Sequence, residues 1–372
     1  HLLRWVSGLI ILVFFTFYVS SGMVSGGTFF ESSFGMDYRL GLTLVAGITV
    51  MYTLVGGFLA VSYTDLVQGL MMVAALVAVP VAGVVRLGGI RATIDAVSAV
   101  DPHYWAMVGP TTSVIGIAGS LAWGLGYFGQ PHIIVRFMAI RSPKEAVAGR
   151  RIGIGWMLFA VAGAAATAVV GVAVYQRDAS GLANPEAVFI SLGRLLFDPF
   201  VAGFMLAAIL AAIMSTISSQ LLVTSSALIE DLYKRIRDVE PPQPRLVMYS
   251  RFAVLIVAVV AASMAWSPND TILALVAFAW AGFGASFGPI VLLCLYWRRL
   301  TAIGAVAGMV TGAVVVMIWG GLDGGPGGIF DLYELAPGFA ANLLVAWAVS
   351  RAGRPDPAVE AEFRAAVTAA RR

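Results

Sequence analysis

A run of small and hydroxyl-bearing residues near the middle of the chain could bind a cation. Ala212, Ser215, Thr216 and Ser219 have the spacing of one helix face within residues 211–220. Neutral hydroxyl oxygens and a backbone carbonyl suit a monovalent hard cation, and the lack of a carboxylate in the run argues against a divalent one. The pattern also fits small-residue helix packing in which each hydroxyl donates to a carbonyl of its own helix. Both interpretations stay open on the residues alone.

A second segment interrupts an apolar stretch with residues that break a helix. Residues 123–131 hold three glycines and a proline, which weaken helical structure. Trp123, Tyr127, Gln130 and Pro131 are spaced so that one face of an α-helix would carry all four. Secondary transporters build substrate sites from broken helices of this kind at mid-membrane. A plain proline kink with interfacial aromatic residues is the alternative.

Three further polar residues have two possible roles each. Asp65 follows Ser62 at the spacing of a capping box, which would satisfy backbone donors at a helix start, although a gating role is also possible. Arg136 comes just after the broken segment, and it either pairs with an acid as an inner gate or anchors the chain at the basic side of a membrane. Tyr18 either faces a cavity or lies at the membrane interface.

The composition indicates which elements hold these residues. Of 372 residues, 60% are hydrophobic and only 12% are charged, whereas a soluble domain carries about 25% charged residues. We therefore predict an all-α integral membrane protein, because the apolar stretches run near 20 residues and barrel strands need only about 10. A net charge of +3 gives no basis for nucleic-acid binding, and the lone Cys294 and the scattered histidines offer no disulfide framework or metal site. The sequence shows no nucleophile with a base next to it, so it gives no indication of an enzyme.

A hydropathy window of about 19 residues gives ten candidate transmembrane helices. They are 5–24, 41–61, 65–85, 112–135, 152–175, 199–228, 247–266, 271–297, 301–320 and 336–350. Trp280 and the glycine-rich run 282–289 indicate that the eighth of these is bent.

The basic residues predict the orientation of the chain. If the spans alternate, 18 of the 23 basic residues fall on one side of the membrane. The positive-inside bias predicts that this side is cytoplasmic, with the C-terminus inside, in a multi-pass protein of the inner (plasma) membrane. Val359, Phe363 and Val367 then recur every four residues after Pro357, which predicts a short amphipathic helix on the membrane surface or on a neighbouring loop.

Three stretches together resemble the sodium/solute symporter family, and within it the bacterial sodium/proline branch. They are 56–65 with Val67 and Gln68, 123–133, and 209–234. The resemblance runs from about residue 5 to residue 350, nearly the whole chain.

The resemblance implies an inverted-repeat, LeuT-type transporter fold with an incomplete first repeat. The chain begins with His1 rather than Met, and we expect it to be a piece of a longer protein whose first two repeat helices supply the rest of each site. The piece alone is then expected not to perform coupled transport. The implied parts are a transmembrane symporter domain (1–350), divided into the remainder of the first repeat (1–86), the second repeat (112–297) and peripheral helices (301–350), and a cytoplasmic tail (351–372).

The same resemblance implies roles for the polar residues. The sodium ligands would be the carbonyl of Ala212 and the hydroxyls of Ser215 and Thr216, while Asp65 would act in sodium-coupled transport. Arg136 stays a candidate gating residue on its position after the broken segment, apart from the resemblance. The residues assigned to substrate binding are Tyr18, Trp123, Tyr127 and Pro131, to which the helix-face argument adds Gln130.

The resemblance implies sodium-coupled symport of L-proline into the cell by alternating access. Na⁺ would be the coupling ion, no cofactor would be needed, and the partners would be sodium, proline or a similar small solute, and the lipid bilayer. The same fold could instead carry another small organic solute such as pantothenate or a sugar. A transport-like sensory membrane module is the alternative from another class of function.

Overall fold

The computed structural model describes residues 2–106, 113–176, 182, 184–233, 242–267, 270–354 and 356–370. Within these residues all regular secondary structure is helical, as the composition predicts. Several basic residues that support the orientation, such as Lys234 and Arg235, lie outside the described residues. The α-helices are, in chain order, α1 (Leu2–Phe34), α2 (Tyr38–Arg86), α3 (Ile90–Val100), α4 (Val114–Ala122), α5 (Pro131–Met138), α6 (Pro143–Gly171), α7 (Val188–Leu196), α8 (Pro199–Ser226), α9 (Gln243–Ala265), α10 (Ile272–Tyr296), α11 (Ala302–Trp319), α12 (Leu335–Ala352) and α13 (Pro357–Ala370).

Eight helices of the described part are long and apolar enough to cross a membrane. Helix α2 contains two of the predicted spans, because its 49 residues would extend about 73 Å at 1.5 Å per residue, roughly twice the hydrocarbon core of a bilayer. The helix bends at Gly57, whose φ of 59° is readily adopted only by glycine. The fourth predicted span is divided into α4, a 3-10 helix over Trp123–Gly129, and α5.

The capping-box interpretation of Ser62 and Asp65 is wrong. Both residues lie inside α2, which continues through this region instead of beginning in it. The Ser62 hydroxyl donates to the carbonyl of Phe58 in its own helix. The Asp65 carboxylate accepts hydrogen bonds from side chains of two other helices, so it serves tertiary structure instead of a helix start.

Helix α1 lies between two apolar cores. One core joins it to α10, α11 and α12 through residues such as Phe14 and Phe283, and the other joins it to α2, α8 and α9 through residues such as Val19 and Ile217. The helices approach closely where glycine faces a neighbour, since a Cβ at Gly26 would lie 2.8 Å from the Val45 side chain. This close packing is typical of membrane bundles, and it makes α1, α8 and α10 the frame of the site.

Candidate functional site

The broken segment is fitted against α10 by glycines on both sides. Residues Trp123–Gly129 form a 3-10 helix between α4 and α5. A side chain at Gly126 would overlap the indole of Trp280, and one at Gly129 would overlap the carbonyl of Phe283. The glycine-rich run of α10 therefore provides the surface on which the broken segment packs.

Aromatic rings from three elements meet at this segment. The Trp123 ring stacks on Trp280 and on Tyr333, each with ring centroids 5.6 Å apart, and the Tyr127 ring meets Trp280 edge-on at 4.8 Å. The indole Nε1 of Trp280 donates to the carbonyl of Trp123 at 3.1 Å. Tyr127 is 43% exposed, and its hydroxyl donates to the Met157 sulfur at 3.6 Å. The structure thus brings Trp123 and Tyr127 together around Trp280.

Gln130 lies in the packing between the broken segment and α10. Its side chain is fully buried, and Nε2 donates to the carbonyls of Gly126 at 3.1 Å and Trp280 at 3.2 Å. The other amide atom, Oε1, has no partner among the described residues. The α-helical spacing that predicted one shared face does not apply here, because the residues before Gln130 form a 3-10 helix with fewer residues per turn.

Pro131 and Tyr18 meet the site from two sides. Pro131 is the first residue of α5. A backbone N–H at this position would have no partner within the helix, so proline costs no hydrogen bond there. Tyr18 in α1 packs edge-on against the next residue of α5, His132, with ring centroids 6.1 Å apart. The Nδ1 of His132 is buried and has no partner in the described part of the chain. Sequence reasoning did not identify His132, because a single histidine in an apolar run carries no signal of its own.

The hydroxyl run on α8 gathers three neutral oxygens. The carbonyl of Ala212 accepts from the Ser215 hydroxyl at 3.1 Å and from the Thr216 hydroxyl at 3.0 Å. Next to them, the Tyr52 hydroxyl of α2 donates to the carbonyl of Met214 at 2.9 Å. The back-bonding expected of a packed helix is present, and it places both hydroxyls within hydrogen-bond distance of the Ala212 carbonyl.

Asp65, Arg136 and Ser219 form a hydrogen-bonded trio that joins α2, α5 and α8. The guanidinium Nη2 of Arg136 donates to Asp65 Oδ2 at 2.5 Å and to Ser219 Oγ at 2.7 Å. The Ser219 hydroxyl in turn donates to Asp65 Oδ2 at 3.2 Å. The Asp65 side chain is 11% exposed and that of Arg136 is 45% exposed. The acid that Arg136 was expected to pair with is therefore Asp65.

Residues 1–312 match the family model described as Sodium:solute symporter family. The chain belongs to the sodium:solute symporter family.

Curated relatives of this symporter-family chain carry names of proline carriers. The High-affinity proline transporter PutP of Bacillus subtilis (strain 168) is 55% identical over 97% of this chain and 76% of its own length. The Osmoregulated proline transporter OpuE of the same organism is 50% identical over 94% of this chain and 70% of its length. The Sodium/proline symporter of Staphylococcus aureus is 51% identical over 98% of this chain and 72% of its length.

A solved Na⁺-coupled sialic acid symporter, in a substrate-bound outward-open state, has a similar fold. The TM-score is 0.75 at 20% sequence identity, over 95% of this chain and 75% of that one. At this identity the likeness concerns the fold alone, and it confirms the helical transporter fold that the resemblance implied. The family consists of transporters, which agrees with the prediction that the chain is not an enzyme.

A cavity lined by both polar and apolar residues lies beside the trio of the symporter chain. Its volume is about 400 Å³, and its lining includes Ser62, His132, Arg136, Ser219 and Glu230. Sequence reasoning placed Ser219 on the hydroxyl face but did not identify it as a partner of Asp65. The signal was its position one turn after Ser215, facing the same way.

Proposed function

We propose that the protein is a sodium-coupled symporter that carries L-proline across the plasma membrane by alternating access. Family membership and the names of the relatives support this function. The structural observation that carries it lies on α8, where the oxygen cluster of Ala212, Ser215 and Thr216 is one turn from Ser219. A single helix would therefore link ion binding to the trio with Asp65 and Arg136.

In this proposal, Na⁺ is cargo that binds to neutral oxygens. A hydroxyl that donates one hydrogen bond keeps lone pairs for a cation, so Ser215 and Thr216 can bind Na⁺ together with the Ala212 carbonyl. A cluster without a carboxylate leaves the ion's charge uncompensated. The inward movement of the Na⁺ ion is therefore driven by the membrane potential, which contributes about 2.3 kcal/mol per charge for each 100 mV.

The substrate would bind along the broken segment. The exposed ring of Tyr127 offers an aromatic surface to an apolar ring and to a cationic amine, with Trp123, Tyr18 and Pro131 completing the wall. The Oε1 of Gln130 is an acceptor for the substrate's N–H groups once the segment moves. A zwitterion is suited to such a site, because it needs several neutral polar contacts and no fixed counter-charge.

The trio of Asp65, Arg136 and Ser219 would act as the inner gate. While the three side chains are joined, α2, α5 and α8 are held together on one side of the substrate segment. We propose that this side is cytoplasmic and that the C-terminus lies there, as the distribution of basic residues predicts. A protease added to right-side-out and inverted vesicles tests this orientation, because only inverted vesicles should lose a tag placed after the tail.

Uptake of labelled proline into proteoliposomes tests the function. With the full-length protein reconstituted, an inward sodium gradient should drive accumulation that potassium does not support. Unlabelled proline and its close analogues should compete, whereas pantothenate and glucose should not. Uptake that proceeds equally without sodium would contradict the coupling, and competition by pantothenate or glucose alone would contradict the substrate.

A further inference from the structure

The tail helix α13 packs beside the turn between α10 and α11 and leaves a groove of about 370 Å³. One wall is the end of α10 with the turn that follows it, and the other wall is the predicted apolar face of α13. The apolar lining consists mainly of Leu295, Trp297, Leu300, Val359, Phe363 and Val367. The groove is open on its apolar side, since Leu295 is 60% exposed and Val359 is 45% exposed.

The charged residues that line this groove are Arg298 and Glu362, and two further arginines, Arg299 and Arg364, directly follow the lining residues Arg298 and Phe363 in sequence. Glu360 of α13 pairs with Arg364 at 2.9 Å and with Arg298 at 3.6 Å. The hydrogen bond from Arg364 lowers the pKa of Glu360 below its ordinary value, and the positive charges of Arg364, Arg298 and Arg299 lower it further. Within the described residues Arg299 forms no ion pair, so its guanidinium is available to an anion. Glu362 also lines the groove from α13, so an anion would contact the arginines of the turn and not the wall that carries this carboxylate.

Aromatic residues place the groove at the level of lipid headgroups. Trp297 directly follows the membrane-spanning helix α10, and Trp347, 44% exposed, lies near the end of α12. Arg351 covers the Trp347 ring, with the guanidinium carbon 5.4 Å from the ring centroid. The ends of α10 and α12 therefore each carry a tryptophan followed by an arginine, an arrangement typical of a membrane–water interface.

We propose that this groove binds an anionic phospholipid. One acyl chain would lie between Leu295 and Phe363, where the open apolar side faces the bilayer, and the phosphate would contact Arg298 and Arg299. A lipid fits better than a protein segment, because the groove joins an apolar wall to a cationic rim at headgroup depth. A zwitterionic lipid would bind less well, because its own cation would face the same arginines. The bound lipid would fasten α13 to the end of α10.

Native mass spectrometry of the purified, delipidated protein tests this proposal, with phosphatidylglycerol and phosphatidylcholine of equal chain length as probes. We expect phosphatidylglycerol to bind at least about 10-fold more tightly to one site. A basic residue near an anionic surface contributes about a fivefold factor, so Arg298→Gln with Arg299→Gln should weaken phosphatidylglycerol binding roughly 25-fold. The matched control is Arg150→Gln with Arg151→Gln, an adjacent and exposed pair in α6, which should leave binding unchanged.

A second variant separates a lipid in the groove from an anion held only at the turn. Phe363→Ala should weaken phosphatidylglycerol binding severalfold, and inorganic phosphate should not displace the lipid. Equal binding of the two lipids by the unmodified protein would overturn the proposal. It would also be overturned if the Arg298 and Arg299 variant kept full binding, or if the Arg150 and Arg151 variant lost it to the same degree.

Discussion

Replacing Ser219 by alanine tests whether the trio with Asp65 and Arg136 holds the inner side closed. The change removes one hydroxyl from the middle of α8 and leaves both charged partners in place. It deletes the acceptor for Arg136 at 2.7 Å and the donor to Asp65 at 3.2 Å. We expect the closed arrangement to lose stability relative to an open one.

The size of the effect follows from the exposure of the two partners. A hydrogen bond to a charged group contributes about 1.5–3 kcal/mol, and this range applies to Asp65, whose side chain is 11% exposed. Arg136 is 45% exposed, so water replaces most of its lost bond, and its share is roughly 0–1 kcal/mol. Because the bond to Asp65 is long at 3.2 Å and the Asp65–Arg136 ion pair remains, we expect a net shift near the low end of these contributions, about 1–2 kcal/mol toward the open arrangement, a factor of about 5 to 30.

Spin labels on the two helices measure this equilibrium. Met138 at the end of α5 and Ser226 at the end of α8 are both exposed, and labels there report the separation by pulsed electron resonance in a Cys294→Ala background. The ratio of long to short distances should rise about 5- to 30-fold in Ser219→Ala. Ser263→Ala, whose hydroxyl donates only to a carbonyl of its own helix, is the control. An unchanged distribution in Ser219→Ala would refute the reasoning.

Two further perturbations test the packing of the broken segment and the tail. Gly126→Ala should lower the thermal stability of the purified protein by about 1–3 kcal/mol and abolish uptake, because its Cβ would overlap Trp280; Gly124→Ala, which has open space, should do neither. Glu360 has a pKa lowered mainly by Arg364, so its contribution to tail docking should be constant above pH about 5 and be lost only as the pH falls below its ordinary 4.5. Hydrogen exchange of α13 against pH measures this, and weakening at neutral pH would contradict it.

The apolar pattern predicted the helices well, because length and hydropathy decide which segments can cross a bilayer. It could not show that two predicted spans form one bent helix, since the bend depends on the positive φ of Gly57. The break at residues 123–131 was visible as glycine and proline. The 3-10 geometry was not, because it results from packing against Trp280 and Phe283 in a helix distant in sequence.

The site was predicted in its residue types more than in its contacts. The spacing of Ala212, Ser215 and Thr216 implied oxygens on one face, and the structure places both hydroxyls within hydrogen-bond distance of the Ala212 carbonyl. Asp65 looked like a local cap, because a single sequence shows neighbours along the chain and not partners across it. Its pairing with Arg136 depends on how α2 and α5 meet.

The sodium dependence of proline uptake in Thr216→Ala, compared with Thr224→Ala, tests the central claim most directly. Both hydroxyls donate to a carbonyl of α8 four residues earlier, so the two variants are equal if the hydroxyls serve helix packing alone. If Thr216 binds Na⁺, losing its hydroxyl should raise the half-saturating sodium concentration about 10-fold or more, while Thr224→Ala stays within about twofold of the unmodified protein. Equal sodium dependence in the two variants would contradict the account.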